Sequence, residues 1–70
     1  MRKVKIQGDY ITLGQFLKFT GIISSGAMAK TYLMDHTIYV NDEIENRRGR
    51  KLYENYLIKV NNELFEIGKQ

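Results

Sequence analysis

The spacing of apolar residues changes near residue 37 of this sequence. Before it, over residues 13–17 and 29–36, apolar residues recur every three or four positions. Beyond it they alternate with polar residues, over residues 37–45 and 56–67. The first spacing is typical of a helix that packs through one face, and the second of a strand with one buried face. The order of the two patterns predicts an α+β fold in which two packed helices are followed by a small, mainly antiparallel sheet of short strands.

Each predicted helix has characteristic residues at its ends. Residues 12–15, Thr-Leu-Gly-Gln, have the pattern of a capping box, so the first helix should begin there. Gly21 follows the last apolar position of this helix, and glycine is favoured immediately after a helix end. Ser24 or Ser25 is expected to cap the second helix, which should stop near His36.

A first strand and two hairpins complete the predicted secondary structure. Val4 and Ile6 alternate with lysines and predict a short strand. Asn41-Asp42 and Asn61-Asn62 each lie between alternating segments, and Asn and Asp tolerate the positive φ of a two-residue turn. The second turn would place two pairs of residues opposite each other on one face of its hairpin: Ile58 with Phe65, and Tyr56 with Ile67.

Length and composition exclude several classes of protein. Seventy residues suffice for one domain, residues 1–70, with little room for both a core and a substrate cavity. The chain has no Cys and one His, so we expect no disulfide, no metal site and no cofactor. Its apolar runs are far shorter than the roughly 18 residues that span a bilayer, and its start does not resemble a signal peptide. We therefore expect a cytoplasmic protein without membrane contact.

No set of side chains is predicted to act together as nucleophile, base and oxyanion donor. His36 lies at a predicted helix end, where it should interact with the last carbonyls, and capping explains Ser24 and Ser25. No Walker motif or dinucleotide-binding glycine motif is present. The acidic side chains of the first hairpin are expected to be solvated: Asp42, Glu43 and Glu45. We expect no enzymatic activity and no small-molecule substrate.

The densest cluster of charge lies between the two hairpins, in a chain of net charge +3. Four basic residues, separated only by Gly49, form what we call the basic loop: Arg47, Arg48, Arg50 and Lys51. Arg can engage phosphate through two parallel hydrogen bonds, and contacts of this kind release counterions from a nucleic acid. Lys18 and Lys30, on the helices, would extend this patch if the helices and the loop share a face. The alternative is a solvated basic turn that contributes nothing to binding or to the core.

Three segments, in order, resemble the S4 (S-four) RNA-binding domain: LGQFLK at 13–18, SSGAMAK at 24–30 and IYVND at 38–42. The usual pattern of that family is an apolar helix, a Ser-Arg-x-x-Ala-Lys start of a second helix, and a Val-x-Val-Asn-Gly hairpin. Residues 45–53 further resemble short bacterial members that consist of this domain alone. Two positions depart from the family pattern, since Gly26 replaces an Arg and Asp42 replaces a Gly.

The resemblance implies a non-catalytic module that binds structured RNA, such as ribosomal RNA within a ribosomal subunit. By resemblance, the two helices and the following hairpin form the binding surface. The residues expected to contact RNA are Lys18, Ser25, Lys30, Asn41, Arg47, Arg48, Arg50 and Lys51. The alternative is a protein-interaction module that docks another chain through a sheet edge or an apolar surface around Met28 and Met34.

Overall fold

A computed structural model of the chain describes residues 1–70. The elements in chain order are β1 (Arg2–Ile6), β2 (Tyr10–Thr12), α1 (Leu13–Phe19), a 3-10 turn (Gly26–Met28), α2 (Ala29–Asp35), β3 (Ile38–Val40), β4 (Glu43–Glu45), β5 (Lys51–Tyr53), β6 (Leu57–Val60) and β7 (Glu63–Lys69). Strands contain 40% of the residues and helices 24%. The fold is α+β, but the predicted arrangement of two helices followed by a small sheet is wrong. Two strands precede the helices, and strands are the larger part of the structure.

The strands form two sheets. Five of them pair in the order β1-β7-β6-β3-β4, and β2 pairs separately with β5. All neighbours are antiparallel except β1 and β7, which are parallel, with Val4 opposite Ile67. The first strand therefore belongs to the main sheet and lies beside the last one. Alternation within a segment indicates a strand but not its partner, so the sequence predicted β1 without this pairing.

Both predicted hairpins are present with two-residue turns. The turn residues have positive φ angles: 51° at Asn41, 69° at Asp42, 51° at Asn61 and 66° at Asn62. Ile58 lies opposite Phe65, and the amide of Ile67 donates to the carbonyl of Tyr56 at 2.9 Å. The predicted register of the second hairpin is confirmed.

The first helix has the predicted ends, and the second begins differently. The Gln15 amide donates to Thr12 Oγ1 at 3.3 Å, and Gln15 Oε1 accepts from the Thr12 amide at 3.0 Å, which completes the capping box. Gly21 follows α1 with a φ of 82°. Ser25 precedes the 3-10 turn but makes no side-chain capping hydrogen bond, so the predicted serine cap is wrong. His36 ends α2 as predicted.

The core lies between the helices and one face of the five-stranded sheet. Phe16 of α1 meets Phe65 of β7 edge to face, with ring centroids 5.2 Å apart. Leu17 and Leu33 are buried in the same cluster as the inward residues of the strands. The other face of the sheet carries no helix and exposes Ile44. Neither helix is long and apolar enough to cross a membrane.

Candidate functional site

The basic loop packs against the beginning of α1. The Leu13 amide donates to the carbonyl of Arg50, and the Gly14 amide donates to the carbonyl of Arg48, both at 2.8 Å. Together with the capping box, these bonds satisfy the first three amides of the helix. The loop is therefore fixed to α1 through its backbone, and its side chains emerge beside that helix.

A buried carboxylate holds the loop from inside. The side chain of Glu45 is only 6% exposed and accepts from Arg47 Nε at 2.9 Å and Arg47 Nη2 at 3.0 Å. It also accepts from the Arg47 amide at 3.0 Å and from Arg50 Nη1 at 2.7 Å. The expectation that Glu45 is solvated is wrong. Two of the four basic side chains in the loop are bound within the protein and contribute to the fold.

These contacts shift the pKa values of all three groups. Hydrogen bonds from the Arg47 side chain, opposed by burial and supported by Arg50, lower the pKa of Glu45 to about 2. The same hydrogen bonds to Glu45 raise the pKa values of Arg47 and Arg50 above the ordinary arginine value. The carboxylate is therefore charged at neutral pH, as its two partners require.

The pKa of Glu45 predicts a loss of stability in acid. An unfolded Glu titrates near pH 4.3, so the stabilising contribution is complete above about pH 5 and disappears as the pH falls toward 2. We expect the free energy of unfolding to fall by about 2 kcal/mol. This figure already allows for solvent screening, because the Arg47 side chain is 72% exposed. Thermal unfolding at pH 6 and pH 2.5 measures this loss. Glu45→Gln, which cannot titrate, should lose less between the two pH values, and an equal loss in both proteins would contradict this assignment.

The remaining loop arginine faces a groove that we call the glycine groove. It is a shallow depression of about 380 Å³ lined by residues from the end of β2, α1, the 3-10 turn, the start of α2 and the loop: Thr12, Gly14, Gln15, Lys18, Gly26, Ala29, Arg48 and Gly49. Neither Lys18 nor Arg48 lies within ion-pairing distance of a carboxylate. Two unpaired cations beside a floor of small residues give a site where an anion can approach closely.

Gly14 lets the loop approach the helix. A Cβ atom at this position would lie 3.4 Å from both Cβ and the carbonyl oxygen of Arg48, and 3.5 Å from Cβ of Ala29. A larger side chain would fill the space between the loop and the 3-10 turn. The small residue at 14 therefore maintains the groove.

The structure brings only part of the predicted contact set together. Lys18 and Arg48 share the glycine groove, whereas Ser25, Lys30 and Asn41 do not line it. Asn41 lies in the first hairpin turn, and its Oδ1 accepts from the Leu57 amide at 2.9 Å. Ser25 and Lys30 are exposed beside and along α2.

The last predicted residue, Lys51, lies on β5 with its ammonium 4.9 Å from the centre of the Tyr10 ring. This contact joins the end of the basic loop to the outer face of the β2–β5 sheet. Two features of the site were not predicted from the sequence: the positions of Gly14 and Gly26 in the groove, and the binding of the loop arginines by Glu45. The register of the first hairpin contained the signal for Glu45, because it places that residue opposite the buried Ile38.

The described residues contain no group of three His, Cys, Asp or Glu side chains able to hold a metal ion. The polar groups of the site are amides, cations and one internally paired carboxylate. Such groups can bind and orient an anionic partner.

Comparison with known proteins identifies relatives of this chain. A family model described as "S4 domain" matches residues 4–68. The chain is 51% identical over 57 residues to the "Probable ribosome maturation protein RlbA" of Bacillus subtilis (strain 168), an alignment that covers 81% of this chain and 80% of that protein. No solved structure shows significant similarity to the chain.

Proposed function

This chain belongs to the S4 domain family, and on that premise we propose that it is a non-catalytic module that binds structured RNA, specifically ribosomal RNA within a ribosomal subunit. The name of its Bacillus relative supports a role in ribosome maturation. In this proposal residues 1–70 act as one cytoplasmic RNA-binding domain and need no cofactor.

The observation that carries the proposal is the pair of unpaired cations in the glycine groove. Lys18 and Arg48 come from elements far apart in the chain and line one depression without an acidic neighbour in its lining. A phosphate of an RNA backbone carries the opposite charge and fits against a floor without large side chains. We assign the main phosphate contact to this pair.

The other predicted residues have secondary roles in the proposal. Lys51 and Lys30, which do not line the groove, add positive charge to the contact set, and Ser25 and Asn41 offer neutral hydrogen-bonding groups. Arg47 can contact a phosphate with the exposed part of its side chain while it remains bound to Glu45. Arg50 is only 24% exposed, so its main role is to hold the loop.

Competition binding tests the proposal. The purified protein should bind a ribosomal RNA fragment, and unlabelled duplex DNA of equal length should compete poorly, because irregular RNA shape and 2′-hydroxyl groups are the expected targets. Equal competition by duplex DNA would indicate general attraction to phosphate. Failure to bind RNA or ribosomal subunits, together with salt-resistant binding to another protein, would favour the protein-docking alternative.

A further inference from the structure

We infer that a second groove, which shares two lining residues with the glycine groove, receives an unpaired nucleotide of the bound RNA. This inference rests on the proposed function and names the kind of RNA segment that it selects. The second groove, which we call the aromatic groove, has a volume of about 680 Å³ and lies between α1 and the ends of β1 and β2. Its lining includes Lys5, Gln7, Tyr10, Gln15, Lys18 and Phe19. Gln15 and Lys18 line both grooves, so one strand of RNA can pass from one to the other.

Two exposed aromatic rings line the aromatic groove. Phe19 is 62% exposed at the end of α1, and Tyr10 is 42% exposed on β2. The Tyr10 ring is held in place by the Lys51 ammonium and by the Tyr53 ring, whose centre lies 5.8 Å away. Exposed aromatic rings held in this way are suited to stacking on a base. Only an unpaired base can stack on these rings, because a base within a duplex is already stacked on its neighbours.

The polar groups of the aromatic groove match the rest of a nucleotide. Lys18 has no carboxylate within ion-pairing distance, and the lining contains no acidic residue. The Gln15 side chain uses its oxygen to accept from Thr12 and keeps its amino group free of protein partners. Gln7 also lines the groove, and its amino group donates to Gln70 Oε1 at 3.0 Å. A cation for a phosphate and a free amino group for a base edge therefore line the same groove as the two rings.

Charge distinguishes RNA from a peptide as the occupant. An apolar peptide would leave Lys18 without a partner in a groove that has no carboxylate of its own. A nucleotide satisfies the rings and this cation together, and it is already present if the glycine groove binds the backbone.

Two RNA hairpins with the same stem test the inference, one fully paired and one with a single bulged nucleotide. Fluorescence anisotropy should show the parent binding the bulged hairpin about tenfold more tightly, within the range measured for base–aromatic stacking. Tyr10→Ala and Phe19→Ala should each lose this preference while still binding the paired hairpin, and Tyr10→Phe should keep it. Ile44→Ala, which removes an exposed apolar side chain from the open sheet face, serves as the matched control and should behave like the parent.

A fluorescent base at the bulge gives a second measurement that requires no variant. Its emission should be quenched when the parent binds, as a stacked base requires, even if Tyr10→Ala fails to fold. Equal affinity of the parent for both hairpins without quenching would overturn the inference and leave the proposed function intact. Failure to bind either hairpin would instead remove the proposed function.

Discussion

Replacing Lys18 and Arg48 together by Ala should lower the affinity for structured RNA by about 30- to 100-fold and leave the fold intact. Hydrogen bonds to charged groups contribute roughly 1.5–3 kcal/mol each, and two such losses, partly compensated by neighbouring cations, give this range. The fold should survive because both side chains are exposed and neither is paired with a carboxylate. Equilibrium binding at one moderate salt concentration measures the loss.

The control for this variant removes the same charge from the opposite face, together with one exposed ion pair, that of Lys3 with Glu66 at 3.8 Å. Lys3 and Lys59 lie on strands whose neighbouring residues, Val4 and Ile58, face the core. Their side chains therefore project from the open sheet face. Lys3→Ala with Lys59→Ala should reduce affinity by no more than about threefold through net charge alone. Equal losses in the two double variants would show that net charge, and not the glycine groove, accounts for binding.

Replacing all four side chains of the basic loop by Ala is a less informative test than replacing Lys18 and Arg48. Ala at Arg47 and Arg50 would leave the buried Glu45 carboxylate without a cationic partner and with only the backbone amide of residue 47 as a donor, which is strongly unfavourable. Loss of RNA binding in such a variant would then reflect loss of the loop structure as well as loss of contacts. Lys18 and Arg48 avoid this difficulty because they have no structural partner.

Leu17→Ala should destabilise the protein by about 2–5 kcal/mol, the usual range for truncating a buried Leu. The side chain is fully buried in the core, and its carbonyl accepts from the Ile23 amide at 3.1 Å where the chain leaves α1. A small domain has only modest stability, so this loss could consume most of it. RNA binding would then be lost as well, because unfolding removes the helix α1 that carries Lys18.

Urea denaturation measures this effect through the midpoint and the m-value. Met34→Ala is the control, since it truncates a large apolar side chain on α2 that is mostly exposed. It should change stability by less than about 0.5 kcal/mol. A Leu17→Ala variant that unfolds at the same urea concentration as the parent would show that the α1 core face is wrongly assigned.

Features with local causes were predictable from the sequence. The start of α1 follows from the reciprocal hydrogen bonds between Thr12 and Gln15, which require only their spacing. The second hairpin follows from Asn61-Asn62 and the alternation on either side, which together fix the register of Ile58 and Phe65. In each case the interacting residues lie within a few positions of one another.

Features that depend on distant partners were not predictable in the same way. The parallel pairing of β1 with β7 joins the two ends of the chain, and the β2–β5 sheet joins residues on either side of both helices. The second helix begins with a 3-10 turn, although the serines before it suggested a capped start. Local preference did not determine these arrangements.

In the candidate site, too, local features were predictable from the sequence and contacts between distant elements were not. The sequence identified Lys18 and Arg48 as cations, but only the fold brings them to one groove. The hairpin register placed Glu45 opposite Ile38, but the contacts of Glu45 with Arg47 and Arg50 were not predicted. The aromatic groove was not predicted from the sequence, because Tyr10 and Phe19 belong to different elements that only the fold brings together.

The salt dependence of RNA affinity shows whether the glycine groove binds RNA phosphates. If roughly three or four cations contact phosphates, the logarithm of the association constant should fall against the logarithm of salt concentration with a slope near −3 in the parent. The Lys18→Ala, Arg48→Ala double variant should lose about 1.4–1.8 of that slope, at ~0.7–0.9 per contact, while the Lys3→Ala, Lys59→Ala control keeps the parent slope. A parent slope near zero, or the same slope in the parent and the groove variant, would contradict this account.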